Sequence, residues 1–140
     1  MMSRFLNVVV ALWACSLLTI CLIVAPSLFV VLTDRHMAGD AAGHFFRVES
    51  WLGLAFGGVA LVLLSRAAQS LRGRINLSLL VVSAATPLIN EVVLRPFMED
   101  ARAAGDMQKF GTLHAVGALL FAIACVASLA LLWRVSRRAE

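Results

Sequence analysis

The sequence predicts an all-α integral membrane protein built as a four-helix transmembrane bundle, on three observations. Four apolar runs are long enough to cross a bilayer, the charged residues are confined to the intervals between them, and arginine is unevenly divided between the two sides. Of 140 residues, 61% are hydrophobic and 14% charged, and the mean hydropathy is +0.93. A soluble domain of this size needs more charge than that to cover its surface. Residues 1–140 read as one transmembrane domain, with helices over about 5–32, 41–65, 75–94 and 111–133.

The first run, Phe5 to Leu32, has no charged residue. At about 1.5 Å per residue it exceeds a hydrocarbon core of about 30 Å and can span with tilt. A secretory signal would have a shorter apolar stretch, of about 7–15 residues, so the segment is read as retained. Pro26 lies late in it and removes a backbone donor, which predicts a static kink. A polar loop is expected from Thr33 to Asp40, with Asp40 capping the second helix, which runs to Ser65.

Residues 66–74 form a basic loop, with Arg66, Arg72 and Arg74 and no acid. The third helix ends near Leu94, because Pro96 disfavours helical backbone at Arg95. A longer polar loop then reaches Lys109, and the fourth helix stops on Arg134, Arg137 and Arg138. The side holding Arg4, the middle loop and the tail carries seven basic residues against five on the other, and its only acid is Glu140. Both termini are therefore expected in the cytoplasm of a bacterium, with the chain multi-pass in its inner membrane. The tripeptide Ala-Gly-Asp occurs at 38–40 and 104–106, which admits two related hairpins.

The net charge of +4 belongs to this topology. No interval joins a basic cluster to aromatics, so the partner is the bilayer and not nucleic acid. No catalytic signature is present and no enzyme activity is expected. Cys15, Cys21 and Cys125 lie inside apolar runs without metal or disulfide spacing and read as packing thiols.

Ionisable groups in the membrane cost several kcal/mol unless partnered, about 2.5–3.5 at the centre for Asp, Lys or Arg, so they mark where to look. Glu49, Asn90, Glu91 and His114 are expected together at the periplasmic ends of helices 2, 3 and 4, with Arg95 one turn after Glu91. Helical spacing puts Ala42, Phe46, Glu49, Gly53, Gly57 and Ala60 on one inward stripe of helix 2, where Gly53-xxx-Gly57 permits close approach. On helix 3 the inward face carries Asn76, Ser83, Pro87, Asn90 and Glu91. On helix 4 it carries His114, Ala118, Phe121, Cys125 and Ser128.

Two readings fit this cluster. One is a site for a cation or for proton transfer, with Glu91 and His114 as the pair and Glu49 as helper. The other is a structural lock made of a Glu91–Arg95 ion pair and a Glu–His114 hydrogen bond. If a metal ion is bound, His114 and Glu91 are the candidate ligands; no cofactor is otherwise expected. His36, His44, Met37, Met98 and Met107 share that side without ligand spacing.

Several segments together resemble a known group: Ala25-Pro26-Ser27-Leu28-Phe29; Ala38-Gly39 with Gly43 and Phe45; Asn90-Glu91-Val92-Val93-Leu94-Arg95-Pro96-Phe97-Met98-Glu99; and Phe110-Gly111-Thr112-Leu113-His114. The sequence resembles the bacterial domain-of-unknown-function family DUF4149, akin to human transmembrane protein 205. That resemblance implies a four-helix membrane fold and marks Asn90, Glu91, Pro96 and His114 as shared. The human relative's association with resistance to platinum drugs implies export or trafficking of metal-containing solutes. Gly117 stands where the family commonly has serine, and Glu49 where an aromatic is usual.

The leading expectation is transport of, or resistance to, a cationic or metal-containing solute, in a chain short enough to need a homo-oligomer. The alternatives are a non-catalytic scaffold with a Glu–His lock, and a redox protein holding b-type haem between His44 and His114.

Overall fold

The computed structural model describes residues 2–65 and 71–137, with side chains from Arg4 onward, and no strand occurs among them. Arg66, Arg138 and Glu140, used above to orient the chain, lie outside the described residues. Four helical spans, Arg4–Val31, Arg35–Ser65, Leu71–Ala103 and Met107–Ser136, are each long and apolar enough to cross a membrane. The chain is a multi-pass membrane protein. The spans close into a ring in chain order, each packed on the two beside it.

The first span is α1 (Met2–Thr19), a π-helical turn (Ile20–Val24) and α2 (Ala25–Val31). The second is α3 (Arg35–Ser65). The third is α4 (Leu71–Ile89), a π-helical turn (Asn90–Leu94) and α5 (Arg95–Ala103), and the fourth is α6 (Met107–Ser136). The helices therefore extend into much of the sequence expected as polar loop, over 35–40, 71–74, 95–103 and 107–110. Pro96 does not end the third helix, because the π turn before it shifts the hydrogen bonding by one residue. The Arg95 N–H donates to the Asn90 carbonyl, five residues back, and the helix continues through the proline. Pro26 is accommodated in the same way, with the Ala25 N–H donating to the Ile20 carbonyl.

Two internal similarities follow. Each π turn is five residues long and is followed at once by an X-Pro pair. Each outer segment then leads through a short turn to an aspartate-capped helix. Asp34 accepts from the His36 and Met37 amides at 2.7 and 3.4 Å, and Asp106 accepts from the Lys109 amide at 2.9 Å. The capping role expected of Asp40 falls to Asp34, and Ala38-Gly39-Asp40 lies inside α3, so the repeated tripeptide marks no structural equivalence. Gly105, at φ 73°, closes α5 in a left-handed conformation that its lack of a Cβ permits. The Asp106 amide there bonds back to the Ala101 carbonyl at 2.9 Å.

The core forms around Trp13, which is fully buried, with Val10, Leu17, Leu80, Leu131 and Val135. The inward stripe expected on helix 2 is realised: Ala42, Glu49, Gly53, Gly57 and Ala60 are all buried. A Cβ at Gly53 would stand 3.1 Å from Trp13 Nε1, and one at Gly57 would stand 3.2 Å from Ala84 Cβ. The glycines thus admit the indole and the neighbouring helix within one chain.

Candidate functional site

The two π turns lie at the end of the bundle where the 32–34 and 104–106 turns connect the spans. Beside them opens a cavity of about 640 Å³ that draws residues from all four spans, within the range of sites that hold drug-sized ligands. Its apolar lining includes Pro26, Phe29, Phe46, Ala118 and Phe121, with Phe46 and Phe121 packed at a centroid distance of 4.5 Å. Glycine on α3 widens it: a Cβ at Gly43 would meet nothing within 4 Å.

Four of the five expected site residues line this cavity: Asn90, Glu91, Arg95 and His114. Glu91, second residue of its π turn, is held between two guanidiniums. Arg95 Nη1 donates to both carboxylate oxygens at 2.9 and 3.1 Å, and Arg47 Nε on α3 donates to Oε1 at 2.9 Å. Arg95 also reaches Glu99 at 2.7 Å. The predicted Glu91–Arg95 pair is present, whereas the predicted Glu–His114 hydrogen bond is not, because both Glu91 oxygens are turned to arginine. His114 has no hydrogen bond among the described residues. It stacks on Phe110, rings 6.0 Å apart and 15° from parallel, and Phe110 carries the Arg102 guanidinium 4.7 Å from its centroid. Arg102 in turn donates to Asp40 at 2.7 Å.

Glu49 departs from expectation. It is 1% exposed but is not among the cavity-lining residues, so the four polar groups do not share one depth. Its neighbour Ser50 lies 3.2 Å from the Pro87 carbonyl, one helical turn before Glu91. Ser16 Oγ donates to Glu49 Oε1 at 3.0 Å, and Glu49 Oε2 and Trp13 Nε1 are buried without partners. Asn90 Oδ1 is likewise unpartnered. It occupies the space that a side chain at Gly117 would claim, since a Cβ there would collide with it. The absence of a side chain at Gly117 is what lets Asn90 turn inward.

The charged rim balances. Arg35, Arg95 and Arg102 face the same cavity as Asp40, Glu91 and Glu99. Arg35 has no acidic partner among the described residues, so it and His114 are donors free to receive a ligand, beside the unpartnered Asn90 Oδ1. His44 is exposed, edge-on to Phe45 at 6.1 Å, and does not line the cavity that His114 lines. Among the described residues, no three of His, Cys, Asp and Glu cluster closely enough to hold a metal ion. At the opposite end, Arg134 Nε donates to buried Asn76 at 2.7 Å, joining α4 to α6.

Sequence reasoning missed Arg47, although a cation inside a helix expected to lie in lipid was itself the signal to seek its acid. It also missed a contact between thiols on separate spans: Cys21 Sγ and Cys125 Sγ lie 3.7 Å apart.

No match to this chain was found among curated proteins or solved structures. The profile of a domain of unknown function, DUF4149, matches residues 8–107, which include all three prolines, Glu49, Asn90 and Glu91 and end before His114. With most of its length matched, the chain belongs to the DUF4149 family.

Proposed function

We propose that this chain is a small-molecule-binding protein of the bacterial inner membrane, with both termini cytoplasmic, and that its cavity holds an amphipathic solute. The observation that carries this reading is the cavity itself: an apolar interior of Pro26, Phe29, Phe46 and Phe121 beneath a rim where Arg35 and His114 are unengaged. Apolar walls with a few convergent polar groups are what ligand sites are made of. Two free donors favour a ligand whose head is rich in acceptors, such as a carboxylate or phosphate. No cofactor and no catalytic step is invoked.

Transport of, or resistance to, a cationic or metal-containing solute would use the same cavity, with Glu91 and His114 as its contacts. That reading draws less support, because two arginines already neutralise Glu91 and Trp13, Leu17 and Leu131 fill the bundle elsewhere. A homo-oligomer would supply the missing path. The scaffold alternative is favoured by one observation, the Arg47–Glu91–Arg95–Glu99 network, which ties α3 to the third span with or without a ligand.

Native mass spectrometry of the detergent-purified protein separates these readings. Ligand binding predicts a one-to-one adduct of a few hundred daltons on the wild type that is lost in Gly43→Leu, whose Cβ would meet nothing within 4 Å. A bare wild type, or an adduct retained equally by the variant, would put the scaffold reading first. Elemental analysis of the same samples reports on bound metal.

A further inference from the structure

Cys21 and Cys125 are 104 positions apart in sequence, yet their sulfurs are in contact at 3.7 Å. The two thiols differ in access. Cys21 is the second residue of the first π turn, is partly exposed and lines the cavity. Cys125 on α6 is 7% exposed and is not among the lining residues. A small reagent entering the cavity therefore meets Cys21 first, with Cys125 directly behind it. An accessible thiol backed by a second is the arrangement of a reacting and a resolving cysteine.

We infer that Cys21 and Cys125 are a redox-active dithiol: a hydroperoxide reaches Cys21 through the cavity, and Cys125 resolves the product into a disulfide joining the first span to α6. In the first step the hydroperoxide passes one oxygen to the Cys21 thiol, giving the sulfenic acid and leaving as the alcohol, or as water when the reagent is hydrogen peroxide. In the second, Cys125 sulfur attacks Cys21 sulfur, the S–S bond forms, the S–O bond breaks, and the hydroxyl leaves with the Cys125 proton as water. The pair loses two electrons and the hydroperoxide gains two. Bond formation requires the sulfurs to close by about 1.7 Å, from 3.7 Å to the disulfide length of about 2.0 Å. The π turn carrying Cys21 is the part of the first span best able to give, since its hydrogen bonds already depart from the α-helical pattern.

The third cysteine provides an internal control. Cys15 is exposed and has no thiol neighbour among the described residues. In the wild-type protein in lipid nanodiscs, hydrogen peroxide should make Cys21 and Cys125 resistant to alkylation together. The linked peptide should be lighter by two hydrogens, Cys15 should remain alkylable, and dithiothreitol should restore both thiols. In Cys125→Ser, dimedone should capture the sulfenic acid on Cys21 and no internal disulfide should form. In Cys21→Ser, Cys125 should stay alkylable. Cys21 and Cys125 remaining fully alkylable, under peroxide that oxidises a free-cysteine peptide, overturns the inference; so does equal oxidation of Cys125 when Cys21 is absent. The wild-type measurement stands even where a variant folds poorly. Closure would draw the π turn against α6 and narrow the cavity, lowering the fraction of protein carrying the adduct. That consequence alone rests on the ligand reading, and the alkylation result does not depend on it.

Discussion

Replacing Glu91 with glutamine removes the charge that two arginines share while keeping its size. The surroundings set the magnitude. The Glu91 side chain is 13% exposed, Arg95 26% and Arg47 43%. These pairs fall between an exposed ion pair, worth about 0.2–1 kcal/mol, and a buried one, whose disruption costs about 3–5 kcal/mol. Arg95 contacts both oxygens and is the more enclosed, so its coupling to Glu91 should be about 1.5 kcal/mol. Arg47 uses one nitrogen and is half in solvent, so its coupling should be nearer 0.7 kcal/mol. Glu91→Gln alone should cost about 2 kcal/mol, because the amide oxygen still serves one guanidinium and Arg95 keeps Glu99. The assay is reversible unfolding in mixed micelles with rising SDS fraction, followed by fluorescence of Trp13 in a Trp51→Phe/Trp133→Phe background and run as two double-mutant cycles with Arg95→Gln and Arg47→Gln. Couplings within about 0.3 kcal/mol of zero in both cycles, the limit of ordinary additivity, would refute the lock and leave Glu91 free to bind a solute.

Other outcomes follow from packing. Gly53→Val should destabilise by about 1–3 kcal/mol in the same titration, because any side chain there meets the Trp13 ring at 3.1 Å. Gly43→Leu should leave stability within about 0.5 kcal/mol of wild type while removing the bound adduct. Asn76→Leu should cost about 1 kcal/mol by stripping Arg134 of its acceptor, and Asn76→Leu/Arg134→Leu should recover part of that loss. Reporter fusions at the C-terminus should report the cytoplasm; periplasmic exposure would invert the proposed orientation.

The four spans were legible because twenty or more apolar residues in succession have few other solutions, and the inward stripe of α3 because small and polar residues recur there at helical spacing. The helix ends were not. Pro96 stops a helix in which every amide must bond four residues back, and the π turn that lifts that demand has no sequence signal of its own. Asp34 and Asp40 are both chemically able to cap; the choice depends on where Arg102, 62 positions onward, is delivered by α5. The Glu91–Arg95 pair was readable because its partners are one turn apart on a single helix. Arg47, Ser16 and the Cys21–Cys125 contact depend on how separate spans are rotated against one another, which spacing along one helix does not encode.

The π turns also fix which way the outer segments face. Each holds one surplus residue, and a residue advances an α-helix by about 100°. The phase of α5 is thus set independently of α4, and that of α2 independently of α1. Converting Asn90–Leu94 to α-helix at constant length, with Pro96→Ala restoring the backbone donor, would let α4 and α5 run on as one uninterrupted helix. It would swing Arg95, Met98 and Glu99 out of the cavity wall by more than a quarter turn without touching any other part of the bundle. The inner halves of the odd-numbered spans hold the ring together, while their outer halves can be re-aimed. A change that relaxes either π turn into α-helix therefore re-aims part of the cavity lining while the core around Trp13 stays as it is.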